Sequence, residues 1–551
     1  MKSVHLLFPG ACALVLLAAA LSAQSSLPPI PVPLQNPLTP AKITLGKILF
    51  WEEQVSSDNT TACGTCHMPE VGGGDPRSNS AANLHPGPDG QYGTADDIRG
   101  SRGVVSCDAN GQFVNDGTFF PRAIVTGRKA PSAIGAQWDP ESFWDGRASG
   151  TFKDPLTSQV IIPIGGALES QAVMPPLSGE MGCAGRTMAT ICNRLVTQRP
   201  MRLATNLPAD VAAAVAQHPS YPALFQWAFG DSAITPVRFA FAIASYERTL
   251  VPDQTPWDAY EQGNLTVFTA AQLAGKDLFD GNANCTFCHT PPLFTDHLFH
   301  NIGVRPSVED MGRRAVTNNA AHRGQFKTPH LRNIALRAPY FHNGSATSLS
   351  EVMDFYEIGG HFFDNIDPAM VPLTLSTLQK TQLLDFVQHA FTDARVALAL
   401  PPFDRPVLLS QQNVLPQTYG APTAGSAGLA PTMLAPVPPV IGMDRFAFGV
   451  HSALGGAAGI MGFTLTPAMP PVLNGGVQVH VALNPDLLLI PFTCSGPAGV
   501  AGAGYSSIHF SVPDMPALAG VSFFAQWLVF DPVGPLGLSL SEGLQMTFVL
   551  P

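Results

Sequence analysis

The sequence is poor in charge. Only 13% of its 551 residues are Asp, Glu, Lys or Arg, while 45% are apolar. That balance can bury a large core and excludes a chain that is disordered overall. Basic residues are the scarcer sign, 29 against 40 acidic, for a formal net charge of −11. This argues against nucleic acid or an anionic membrane as partner, and fits a basic one. Past the N-terminus no apolar run approaches the roughly 18 residues that a membrane span needs, so we expect a soluble mature protein with no membrane span. What the N-terminus does hold is Met1-Lys2, an apolar run from Leu6 to Ala20 and small residues up to Ala23. That is the order of a secretory leader over residues 1–23, and it predicts a periplasmic or secreted protein.

The length predicts two or three domains. Residues 24 to about 40 are Pro-rich and read as an extended lead-in. Mixed text with many Gly and Pro turns follows to about Arg202. Clearer helical periodicity then runs to about Asp393, over Val237–Leu250, Ala270–Phe279 and Leu375–Phe391. Residues 401–434 lie in a Pro/Gly/Ala-rich stretch with the composition of a linker. Residues 435–551 hold short apolar or alternating runs between turns: Val477–Leu483, Leu487–Phe492, Ser507–Val512, Val521–Phe530 and Leu544–Leu550. They predict an all-β, sandwich-like module.

Nine cysteines are present. Cys12 lies in the leader. Four form Cys63-Gly64-Thr65-Cys66-His67 and Cys285-Thr286-Phe287-Cys288-His289. Two thiols three positions apart can reach the two vinyl groups of one haem, and the next residue, histidine, is then held under the iron. Zinc would want four ligands, and a redox dithiol has no use for the following histidine twice. We therefore expect two covalently bound haem c groups, on Cys63, Cys66 and His67 and on Cys285, Cys288 and His289. Of the rest, Cys183 and Cys192 would close a short loop as a disulfide; Cys107 and Cys494 have no evident partner.

From about Leu45 to Thr392 the chain resembles the bacterial di-haem cytochrome c peroxidase family, MauG-like enzymes included. The resemblance rests on Leu45-Gly46-Lys47-Ile48-Leu49-Phe50, Phe143-Trp144-Asp145-Gly146-Arg147, Glu247-Arg248-Thr249-Leu250, Phe299-His300-Asn301-Ile302-Gly303, Thr328-Pro329, Leu331-Arg332-Asn333 and Pro339-Tyr340-Phe341-His342-Asn343-Gly344. It implies a mainly α fold of two cytochrome c-like domains ahead of the β module: 24–210 with the peroxidatic haem and 211–400 with the electron-transfer haem.

The resemblance also implies roles. Trp144 would stand between the haems. Glu180, with Gln171 before it, would be the acid–base group over an open iron, which peroxide cleavage requires; Glu169 competes with it. His85 would block the first iron at rest, or is simply a loop histidine. Tyr356 stands where the classical peroxidases have methionine and the MauG-like branch has tyrosine; Met353 and His361 are alternatives. A phenolate lowers the iron potential where a thioether raises it. The family's interdomain Ca²⁺ is in doubt, because its asparagine position falls on Lys129. Asp89 to Asp97 looks like a separate calcium loop or a solvated acidic turn.

The expected activity is reduction of hydrogen peroxide with electrons from a small cytochrome c or copper protein. The rivals are a MauG-like oxidase acting on a protein or organic substrate, and a non-enzymatic electron carrier. A homodimer is compatible with either.

Overall fold

The computed structural model describes residues 27–412 and 415–550. The predicted leader lies outside the described residues. Among them, no helix is long and apolar enough to cross a membrane.

The first core begins with helix Pro40–Phe50. Thr39 caps it, its hydroxyl accepting from the Lys42 N–H, and Pro40 opens it with a ready-made φ. The helix lies on Pro236–Glu247 so closely that a Cβ on Gly46 would stand 1.9 Å from the Ala242 carbonyl oxygen. Leu45, Ile48, Leu49 and Phe50 pack there against Phe239, Ile243 and Tyr246. Helices Ala209–Gln217 and Tyr221–Phe229 supply Val211, Tyr221 and Phe225 to this same core. A boundary at 210 therefore does not divide the molecule: residues 209–247 complete the first half. Periodicity shows that these helices exist, but not which core they cover.

The second core is contiguous, from Trp257 to Phe391. Helix Ala270–Asp280 crosses Thr377–Ala390, with Gly275 facing the Gln382 carbonyl, and Leu349–Glu357 packs beside them. Phe279, Phe294, Phe386 and Phe391 form its aromatic centre, ring centroids 4.3–6.2 Å apart.

Nor is 401–434 a free linker. Phe403 and Leu408 are buried in the first core. The Leu409 and Ser410 N–H groups donate to the buried Glu53 carboxylate, and Arg405 pairs with Glu70. Gln417–Tyr419 and Thr432–Leu434 then become strands of the C-terminal region. That region is β-rich. One antiparallel sheet runs 432–434, 446–453, 504–510; the other runs 488–493, 458–464, 522–530, 543–547, 417–419. Phe446, Phe448 and Val450 of the first meet Met461, Phe523 and Trp527 of the second in one core.

The expected Cys183–Cys192 loop does not form. Cys183 is bonded to Cys107 across 76 residues, with the Cα atoms 4.7 Å apart. Cys192 stays buried and unpaired on helix Met188–Leu195.

Candidate haem sites

Residues 63–66 form one helical turn, and the His67 N–H donates to the Cys63 carbonyl at 3.1 Å. Gly64 is needed there, since a Cβ would stand 2.1 Å from the Trp51 ring. Cys285–Phe287 form a 3-10 turn, and the His289 N–H reaches the Cys285 carbonyl at 2.8 Å. The two histidines are held alike. Nδ1 of His67 lies 3.0 Å from the Gly73 carbonyl oxygen, and Nδ1 of His289 lies 3.0 Å from that of Phe294. A ring that donates through Nδ1 keeps its lone pair on Nε2, the usual second-shell arrangement of a metal-ligating histidine. None of the four motif thiols is in a disulfide. Burial pushes Cys63 up and both Cys66 and Cys285 to about 12, so these are neutral thiols rather than reactive thiolates.

A cleft opens beside His67. Trp144, Gln171, Glu247, His330 and Arg337 line it. Several wall atoms are buried with no protein partner: Glu247 Oε2, both ring nitrogens of His330 and Arg337 Nε. Burial raises the Glu247 carboxyl to about 8 and holds His330 neutral. A mainly apolar slot with unspent polar atoms on its wall fits a large planar group with polar edges, as haem is.

Residues 40–266 match the family model described as di-haem cytochrome c peroxidase. Over that stretch the chain is similar to the family. It is 29% identical over 367 residues to a methylamine utilization protein MauG from Methylophilus methylotrophus, covering 65% of this chain and 85% of the relative. It is 28% identical over 394 residues to the cytochrome-c peroxidase IdrP1 of Denitromonas iodatirespirans, covering 66% and 84%. A solved MauG-like protein associated with microbial copper homeostasis aligns over 69% of this chain and 96% of its own, at 24% identity and a TM-score of 0.49. The protein is thus a haem oxidoreductase of the di-haem peroxidase and oxidase type.

Against that family pattern, Trp144 is half-buried where the two halves meet. Its Nε1–H donates to the Lys129 carbonyl at 2.8 Å, and its carbonyl accepts from the Lys327 N–H at 2.8 Å. Gln171, on helix Ala167–Ala172, shares the cleft wall with His67. Glu180 sits in the turn after 175–177, its carbonyl accepting from the Val104 N–H at 3.0 Å. Its charge acts on both the Cys66 thiol and the His85 imidazole. The rival Glu169 is fully buried and spent: Arg248 grips it through two hydrogen bonds of 2.7 and 2.9 Å, and the Asn36 side chain adds a third.

His85 is half-buried, its ring edge-on to Phe119 with centroids 5.2 Å apart. Burial lowers its pKa, against the pull of Glu180 and Asp97. Nδ1 accepts from the Gly87 N–H at 3.1 Å, which in the neutral ring leaves the proton on Nε2. As held here, His85 is a donor.

Tyr356, on helix Leu349–Glu357, lies beside the second motif. Burial and the Cys285 and Cys288 sulfurs oppose its ionisation. Met353 is packed in the second core, and His361 is exposed.

The interdomain calcium position does not fit a cation. Lys129 is buried there, 6% exposed, and shares the cleft wall with Arg337 and Pro339. Burial and the Arg337 charge, opposed by Asp75, bring its amine down to about 7. In the acidic loop, Asp96 accepts from the Asp89 N–H and the Thr94 hydroxyl, and Asp97 accepts from the Gly93 N–H, so these carboxylates bind their own backbone and hydroxyl groups.

Sequence reasoning did not assign Glu247, His330 or Arg337 to the cleft. Glu247 lay in a string read only as a family marker, and His330 between two others. The signal available was a titratable side chain within or close beside these strings.

Proposed function

We propose that the protein reduces hydrogen peroxide to water at its first haem site, H₂O₂ + 2H⁺ + 2e⁻ → 2H₂O. Cys63, Cys66 and His67 would hold one haem and Cys285, Cys288 and His289 a second, each in a cytochrome c-like domain. The observation that carries this reading is the Glu180 turn, held on strand Arg102–Val105, whose charge reaches both Cys66 and His85. Bound haem supplies the iron at which electrons enter the O–O bond.

The chain's own residues supply the proton transfers. The Glu180 carboxylate takes the proton from the nearer peroxide oxygen and returns it to the departing one. His85 Nε2–H donates to the anionic oxygen rather than ligating the iron. Gln171 offers amide hydrogen bonds at the cleft wall. Trp144 fills the gap between the halves with a conjugated ring, and electrons from a small cytochrome c or copper protein enter through the site of His289. The leader at 1–23 would send the protein to the periplasm, where such donors occur.

A second reading has its own observation. Tyr356 beside the second motif supports a MauG-like oxidase acting on a protein or organic substrate. Steady-state turnover separates the two. The peroxidase oxidises reduced small cytochrome c when peroxide is added, and Glu180→Gln loses at least about 100-fold in kcat with haem content unchanged. Inertness toward such donors supports the oxidase, and full activity of Glu180→Gln removes the assigned acid–base role.

A further inference from the structure

The β-rich C-terminal region grips a loop that connects to both Glu180 and His85. Strands Arg102–Val105 and Ala123–Val125 pair as a hairpin, and residues 106–122 are its long connection. The hairpin backs the Glu180 turn. Val104 N–H donates to the Glu180 carbonyl, and a Cβ on Gly103 would stand 1.7 Å from that same oxygen. Cys107, just past the first strand, is bonded to Cys183, three residues after Glu180, and the Ala184 N–H donates to the Cys107 carbonyl at 2.9 Å. At the far end of the loop, Phe119 packs on the His85 ring.

Strand Gly504–Phe510 holds the middle of this loop. The Phe113 N–H donates to Ser507 Oγ at 2.9 Å, while Ser507 Oγ donates to the Gln112 side-chain carbonyl at 2.8 Å. The Gln112 amide nitrogen lies 2.8 Å from Nδ1 of His509. Phe120 packs on Tyr505, centroids 5.2 Å apart. Neighbouring Phe119 and Phe120 therefore face opposite ways: one toward the first haem site, the other into the β region.

We propose that the C-terminal β region is a positioning element of the first haem site, fixing Glu180 and His85 through the loop 106–122. This rests on the reading of that site given above. It assigns the region a role inside the enzyme. A hairpin connection of seventeen residues would pay a large conformational entropy to stay in place unaided, and here the disulfide anchors one end while the β region clamps the middle.

The test uses the full-length di-haem protein and three variants. Phe120→Ala and Ser507→Ala loosen the loop from the β region. Asp514→Asn loosens the same region elsewhere, at its contact with Arg202. The readouts are the resting EPR spectrum, which reports each iron separately, and the rate of cyanide binding to the first haem. Phe120→Ala and Ser507→Ala should change the first-haem signal and shift the cyanide rate several-fold, with the second-haem signal constant; Asp514→Asn should do neither. Wild-type spectra and cyanide rates in both loop variants would overturn the proposal, as would equal disturbance of both haems. If Glu180→Gln keeps full turnover, the peroxidase reading fails, yet the spectra and cyanide rates still decide the coupling.

Discussion

The two attachment segments share one pattern, yet the halves around them are built differently. The second core is a single stretch, residues 257–391. The first draws on 45–250 and again on 396–408, and the β region clamps one of its loops. Around the second motif the near groups are a buried phenol, a phenylalanine cluster and His300, which pairs with Asp296 and Asp367 beside Cys288; around the first they are Glu180, His85, Glu247 and Lys129. The motif marks where a haem would be attached. The first half draws its titratable side chains from distant parts of the chain, whereas Asp296 and His300 of the second follow within twelve residues of Cys288.

Each half is pinned by one buried arginine–carboxylate pair, and breaking these gives the largest expected effect. Arg248 holds Glu169, and Arg332 holds Asp258 at 2.7 and 2.8 Å; both arginines are 1% exposed. Removing a carboxylate strands a buried charge, at about 3–5 kcal/mol. Asp258→Ala should loosen only the contacts of residues 257–391, whereas Glu169→Ala should loosen the first core and with it the β region. Calorimetry with limited proteolysis checks this. One indivisible transition, lowered alike by both variants, would break the comparison.

The next effect is confined to the second iron. Tyr356→Phe keeps the ring and removes the phenol oxygen. If that oxygen ligates, the second-haem EPR signal changes while the first-haem signal stays. An unaltered spectrum would make Tyr356 a packed aromatic and bring the two sites closer in kind.

How far this contrast was legible in the sequence depends on the distance over which each feature is written. The motifs and their histidines are local and were read directly. The strands at 477–481, 488–493, 504–510, 522–530 and 543–547 follow from short apolar runs. Strands 446–453 and 458–464 were not picked out, although Phe446, Phe448 and Met461 are central to the core. The Cys107–Cys183 bond spans 76 residues with no local cue, and helix Met188–Leu195 keeps the sequence neighbour Cys192 away in its buried face. The loop Pro175–Met181 already sets Glu180 ahead of Glu169, and the structure adds that Arg248 occupies the latter. The same holds for 209–247 and 401–411, whose composition does not say which core they join.

The smallest effect concerns pH, and here the halves should differ in sign. In the first half, burial lifts the Glu53 carboxyl from 4.5 to about 8, despite hydrogen bonds from Leu409 and Ser410. The folded state then holds a proton that the unfolded chain releases between those values. Stability from this group is full below pH 4.5 and falls as pH rises toward 8, by at most about 1.4 kcal/mol per pH unit. In the second half, burial pushes Asp258 up, but the hydrogen bond and charge of Arg332, with help from Thr255, bring its carboxyl below the usual value. Its contribution is present above pH 3.8 and is lost as pH falls through the lowered value. Unfolding followed from pH 3 to 8 should therefore show the closure of 403–411 onto the first core weakening toward pH 8, while residues 257–391 weaken only in acid. Glu53→Gln should flatten the first slope and leave the second unchanged; parallel slopes in the parent protein would show that the distant segment adds no titrating clasp to the first half.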